Sequence, residues 1–238
     1  MAEPTIRISA DGPALATDVA EWLTAKAEAH KGRFAICLSG GSTPQALYEK
    51  LATGSFRSRF PWDRSHWFFG DERFVPHDDR DSNYRMAREA LLDHVPIPPA
   101  QIYPIPDQTT PAQAAHNYQE ILQQYYGSQA LDMSRPLFDV TLMGLGEDGH
   151  TASLFPGNPA LENTVDWVTD VTDPSVKQPR ITLTFPALAC SDTMAFLVEG
   201  KKKQHPLKRV LKGDRSAPAA RATAINHVIW FVDQQAIK

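Results

Sequence analysis

Short apolar runs recur along the chain, separated by longer segments whose apolar residues return every three to four positions. The runs Phe34–Leu38, Ser65–Phe69, Phe138–Met143, 193–198 and 227–232 carry little polar relief, the pattern of strands buried on both faces of a parallel sheet. Between them, Leu15, Val19, Trp22 and Leu23 fall at helical spacing, and so do Leu47, Tyr48 and Leu51, then Met86, Ala90 and Leu91. Residues 112–126 predict a further helix. Thr5–Ser9 predicts a short edge strand, 167–171 and 180–184 two more strands, and Phe185-Pro-Ala-Leu-Ala-Cys190 a short helix with Pro186 in its first turn. Strands alternating with helices predict an α/β fold: a single Rossmann-like, doubly wound, mostly parallel sheet with helices on both faces.

Helix starts and stops sharpen the boundaries. Asp11-Gly-Pro supplies an acidic cap with a proline behind it, and the helix that follows is expected to end near Gly32. Ser39-Gly-Gly-Ser-Thr-Pro44 opens the next helix, where Ser42 and Gln45 have the spacing of a capping box. The proline-rich stretch 95–111 reads as a connector that encloses a short strand near Ile102. At 238 residues the chain suits one large α/β domain or two small ones, and with no repeat or low-complexity tract it is read as one domain, residues 1–238.

Polar chemistry collects where the buried runs end, and ligands of open parallel sheets sit at the carboxyl ends of strands. Phe138–Met143 breaks into Gly144-Leu-Gly-Glu-Asp-Gly-His150, which compresses three glycines, Asp148 and His150 into one turn. An imidazole with an ordinary pKa of about 6.5 can take a proton at neutral pH. Ser65–Phe69 ends in Gly70-Asp-Glu-Arg, so that Asp71, Glu72 and Arg73 abut a strand end, whereas Asp78, Asp79, Arg80 and Asp81 read as a solvated loop. Ser39, Gly40, Gly41, Ser42 and Thr43 combine glycines with a helix start, where free backbone N–H groups can cradle a phosphate or simply form a tight turn. Neither a Walker loop nor a dinucleotide fingerprint is present. Lys201, Lys202 and Lys203 stand at a helix start, where cations oppose the helix dipole unless an anion sits there. Pro206 either delays that helix, leaving Lys203 on a loop, or distorts its first turn.

Composition removes other classes. Net charge is −4 with both signs scattered, which gives no electrostatic case for nucleic acid. No apolar run approaches the roughly 20 residues of a membrane span, and the first residues lack a signal-peptide pattern. Cys37 and Cys190 stand far apart, as expected of a reduced, cytoplasmic protein. One His beside one Asp does not make a zinc site, so no metal is expected.

Five motifs in this order resemble the 6-phosphogluconolactonases, whose superfamily also holds the glucosamine-6-phosphate deaminases: Leu38-Ser-Gly-Gly-Ser-Thr-Pro44, Gly70-Asp-Glu-Arg-Phe-Val-Pro76 with Ser82-Asn83, Gly144 through Pro156, Arg180-Ile-Thr-Leu-Thr184, and Gly200 with Lys203. The resemblance covers nearly the whole chain. It implies hydrolysis of 6-phospho-D-glucono-1,5-lactone to 6-phosphogluconate in the oxidative pentose phosphate pathway, by a monomer or small homo-oligomer without metal or cofactor. It implies His150 as general base, Asp148 or Asp71 orienting it or the substrate hydroxyls, and Arg73 on substrate or developing charge. The phosphate is expected on Ser39 to Thr43 with Lys203 and Arg180. Deaminases of the superfamily usually continue the Asp-Gly-His segment with Ile-Ala-Phe-Asn-Glu-Pro, and Phe155 stands here in place of that glutamate. A regulator that binds sugar phosphates without turnover is a further alternative, because one fold hosts many functions.

Overall fold

The structure, a computed structural model, describes residues 5–172 and 176–238. Residues 1–4, which open the stretch read as lacking a signal-peptide pattern, lie outside the described residues. In chain order the elements are β1 Thr5–Ser9, α1 Gly12–Ala29, β2 Phe34–Leu38, α2 Ser42–Leu51, α3 Gly54–Arg59, β3 Ser65–Phe69, β4 Asp71–Arg73 and α4 Asn83–Ala90. There follow α5 Pro111–Tyr126, β5 Phe138–Met143, β6 Val168–Val171, β7 Arg180–Leu183, α6 Phe185–Ala189, β8 Ser191–Val198, α7 Gln204–Leu211, β9 His227–Asp233 and α8 Gln234–Ile237.

Six strands form a parallel sheet in the order β1-β9-β8-β5-β2-β3. From β2 the chain steps outward to β3, then returns to β5 on the other side of β2 and continues outward through β8 and β9. Right-handed crossovers put the helices of the two directions on opposite faces. By contact, α1 packs on α2, and α4 also packs on α2 although it lies in the returning connection, while α5 packs against β6 and β7. The reversal between β2 and β5 is a topological switch point, and the crevice beyond the carboxyl ends of those two strands is where such folds bind ligands.

The buried runs build the core. Ile36, Phe68, Phe138, Phe196 and Phe231 are fully buried, and the Phe196 and Trp230 rings stack at 3.9 Å between centroids. Asp11 caps α1 by accepting from the Ala14 N–H at 2.9 Å, and Leu15, Val19 and Leu23 bury one stripe of that helix. The helix stops at Ala29, short of Gly32, with His30 in extended backbone at its C-cap.

Other boundaries differ from the sequence reading. The residue that caps α2 is Gly41, with no side-chain bond, so Ser42 does not form the expected capping box and instead begins the helix. Near Ile102 the chain makes only an isolated bridge to Trp67. The segment 71–73, read as abutting a strand end, is itself a strand. With β6 and β7 it makes a second, antiparallel sheet of order β4-β7-β6, so the strands expected near 167–171 and 180–184 lie outside the main sheet. Gly70 joins the two sheets: its N–H donates to Leu38 O at 2.9 Å, and its carbonyl accepts from Leu183 N at 2.8 Å. Among the described residues no helix is long and apolar enough to cross a membrane.

Candidate active site

A crevice of about 580 Å³ opens at the switch point, lined from β2 by Ser39, Gly40 and Gly41, from β5 by Gly144 to Asp148 with His150, and from the second sheet by Asp71, Arg73 and Arg180. Lys203, Asn83, Ser153 and Phe155 complete much of its wall. Ser42 and Thr43 do not line it. What the β2 turn offers the crevice is therefore its glycine backbone and the N-terminus of α2.

The loop after β5 holds His150 in a fixed place. Gly146 N–H donates to the His150 carbonyl at 2.8 Å, Gly149 N–H donates to the Gly146 carbonyl at 3.1 Å, and Thr151 Oγ1 donates to the Gly144 carbonyl at 2.8 Å. Asp148 Oδ1 accepts the His150 backbone N–H at 2.9 Å and lies 2.6 Å from His150 Nδ1. A carboxylate can only accept, so Nδ1 carries the proton and Nε2 keeps the lone pair. The imidazole leans on Phe155, with ring centroids 4.8 Å apart. A Cβ on Gly146 would run into the ring at Nδ1 and Cε1, so only glycine leaves room for the imidazole there.

Asp71 is occupied differently. Its Oδ2 accepts from Ser153 Oγ at 2.6 Å, across 82 residues of chain, and it is Asp148 that orients the histidine. The next residue, Glu72, is buried and has no ion-pair partner among the described residues. Its two carboxylate oxygens accept from the N–H groups of Arg73 (2.8 Å), Asn83 (2.6 Å) and Tyr84 (2.8 Å) and from Ser82 Oγ (3.0 Å). Burial pushes its carboxyl above the ordinary value, and the four donors pull it back. Glu72 thus satisfies the N–H groups that the first turn of α4 leaves open, and it docks α4 onto β4. Asn83 is placed in turn: its Nδ2 donates to the Asp71 carbonyl at 3.0 Å and its side chain fills the space over Gly40.

Three cations face the crevice. Arg73 and Arg180 are register partners across β4 and β7, an arrangement in which like charges repel. Arg73 Nη1 donates to the Asp81 carbonyl at 2.7 Å, whereas Arg180 Nε is buried without a hydrogen-bond partner among the described residues. Burial, then the charge of Arg73, lowers the Arg180 pKa. Lys203 ends the 3₁₀ turn Lys201–Lys203, and its Nζ donates to the Leu145 carbonyl at 2.6 Å. Burial lowers its pKa as well. Lys201 and Lys202 are exposed. Pro206 does not delay α7 to its own position: it is the third helical residue, where a missing N–H costs no intrahelical bond, and the three lysines ahead of the helix form a 3₁₀ turn. Among the described residues, no three His, Cys, Asp or Glu side chains gather as metal ligands.

Sequence reasoning finds the two strand-end turns and Lys203, but not Ser153, nor the capping role of Glu72, nor Asn83 over Gly40. These partners meet through pairing between elements far apart in the chain, and no local spacing signals them.

Comparison with known proteins gives three results. The family described as "Glucosamine-6-phosphate isomerases/6-phosphogluconolactonase" matches residues 10–230. A 6-phosphogluconolactonase of Synechocystis sp. is 43% identical over 215 residues, covering 89% of this chain and 86% of that one, and one of Nostoc sp. is 39% identical over 210 residues, covering 87% and 84%. The crystal structure of 6-phosphogluconolactonase from Thermotoga maritima superposes with a TM-score of 0.83 at 34% identity, covering 97% of this chain and 100% of that one.

Proposed function

We propose, for a chain that belongs to the glucosamine-6-phosphate isomerase/6-phosphogluconolactonase family, a reaction performed by His150 and an anion seat built around Arg180. The chain is a 6-phosphogluconolactonase: it hydrolyses 6-phospho-D-glucono-1,5-lactone to 6-phospho-D-gluconate in the oxidative pentose phosphate pathway. The observation that carries the mechanism is the presence in one crevice of an oriented imidazole and three cations.

Opening a lactone needs a water deprotonated as it attacks the carbonyl, and stabilisation of the oxyanion that forms. His150 Nε2, left basic by the Asp148 contact at Nδ1, takes that proton, and the proton then passes to the departing ring oxygen. The phosphate dianion lies against Ser39, Gly40 and Gly41 at the N-terminus of α2, held by Arg180 and Lys203. Such an anion offsets the repulsion between Arg73 and Arg180 and gives the buried Arg180 Nε its partner. Arg73 completes the seat or meets developing charge, and Asp71 accepts from a sugar hydroxyl. Binding energy from the remote phosphate is spent on holding the ester against the base. Lactones are reactive esters, so this scheme calls for no metal or cofactor.

Residues 1–238 act as one domain, a reading supported by one continuous hydrophobic core that reaches both sheets among the described residues. In this reading the working form is a monomer or small homo-oligomer. Buried free thiols at Cys37 and Cys190 support a cytoplasmic setting.

The test generates the lactone in situ and follows 6-phosphogluconate with a coupled dehydrogenase. His150→Ala is expected to lose about 10²–10⁴-fold in kcat, the contribution of a positioned base. Full turnover by that variant would overturn the mechanism. The deaminase alternative lacks its second carboxylate here, since Phe155 forms an apolar wall beside His150. Ammonia release from glucosamine-6-phosphate would reinstate it.

A further inference from the structure

Behind the loop that carries Asp148 and His150 runs a segment the chemistry above does not use. After α7 the chain folds into a tight turn: Asp214 Oδ1 accepts from Ser216 N at 3.0 Å and from Ser216 Oγ at 2.6 Å, and Ala217 N–H donates to the Asp214 carbonyl at 3.0 Å. Arg209, on α7, lies between this turn and the site loop. Its Nε donates to Asp214 Oδ2 at 2.8 Å, Nη2 to Ser216 Oγ at 2.9 Å, and Nη1 to the carbonyl of Asp148 at 3.1 Å. Beside it, Ala219 N–H donates to the Gly149 carbonyl at 3.0 Å. Gly149 has φ +95°, and a Cβ there would lie 2.6 Å from Ala217 Cβ. Two successive carbonyls of the site loop are therefore held from outside the crevice.

A planar guanidinium bonded on three of its nitrogens cannot swivel, so it transmits the position of the turn to the carbonyl it holds. That carbonyl belongs to the same residue whose carboxylate meets His150 N and Nδ1. The Asp148 side chain is about half exposed and has no other described partner of its own, so its direction depends on its backbone. Arg209 does not line the crevice and so does not reach the substrate.

We infer that Arg209 is a positioning residue of this enzyme: clamped by Asp214 and Ser216, it fixes the Asp148 carbonyl and, through it, the carboxylate that orients His150. The inference rests on His150 being the base, as proposed above.

The experiment compares kcat and KM of Arg209→Ala, Arg209→Lys and Asp214→Asn, with Arg209→Ala made also in an Asp148→Asn background. Arg209→Ala is expected to lower kcat about 10-fold, the scale of one hydrogen bond to a charged group, with KM changed by no more than about twofold. Added guanidinium should restore part of the loss. In the Asp148→Asn background the same substitution should cost little more, because two residues acting through one contact are not additive. Arg209→Lys and Asp214→Asn should show smaller losses in the same direction, which keeps the test open should Arg209→Ala fold poorly. Unchanged kcat in all three variants, or an undiminished loss in the Asp148→Asn background, would sink the inference while leaving the base assignment standing if His150→Ala is inactive. Full activity of His150→Ala would remove both.

Discussion

The imidazole of His150 hangs on a carboxylate two residues away: its Nδ1 lies 2.6 Å from Asp148 Oδ1. Asp71, in the same crevice, is engaged by Ser153 and makes no such contact. The two acids should therefore fail in different ways. Asp148→Asn offers an amide that can donate to Nδ1 and select the wrong tautomer, so kcat should fall about 10²–10⁴-fold with KM nearly unchanged. Asp71→Asn should act mainly on KM, as the loss of a contact to substrate made equally in ground and transition states. Steady-state kinetics of both variants in the coupled assay check this. A larger kcat defect in Asp71→Asn would exchange their roles.

Gly146 has no group that takes part in the reaction, yet its Cα faces the His150 ring and Asp148 Oδ1. Gly146→Ala should push the pair apart and lower kcat about 10-fold or more, because small misplacement of a catalytic group is costly. Its neighbours there are side chains at a crevice rim, so the melting temperature should change little. Equal kcat for Gly146→Ala and wild type would mean that the ring has slack in this loop.

Burial holds the Lys203 ammonium below its ordinary 10.5, with Glu147 and Asp148 pulling the other way. The charged form is the one that binds an anion. Affinity for 6-phosphogluconate should then be complete below the lowered value and fall as pH rises through it. Calorimetric titration of the product across that range measures it. Lys203→Arg, which does not titrate there, should flatten the profile, and Lys203→Ala should weaken binding at every pH. Product affinity untouched in Lys203→Ala would remove this residue from the anion seat.

Glu72 accepts four hydrogen bonds at 3% exposure. In Glu72→Gln one oxygen becomes an NH₂ that faces donors, leaving at least one buried donor unpaired. The expected cost is about 1–3 kcal/mol of stability, read as an earlier urea midpoint with unchanged slope. Because the same carboxylate sets Arg73, Asn83 and the start of α4, KM should rise as well. A variant as stable as wild type would show that α4 is held by its packing alone.

The sequence by itself determined the strands of the main sheet, the longer helices between them and the two turns that carry Ser39 to Gly41 and Gly144 to His150. Those features follow from local rules: buried runs make parallel strands, and glycines with a polar residue mark where a strand must release the chain. That Asp148 and His150 share one turn was legible for the same reason. Only the tertiary structure decided which acid serves the histidine, because Asp71 chooses Ser153 across 82 residues. It alone moved β6 and β7 into a second sheet, where Arg180 comes opposite Arg73, and brought Arg209 behind Asp148. Register and strand exchange arise when many elements bury their apolar faces at once, and no single stretch of chain carries that information.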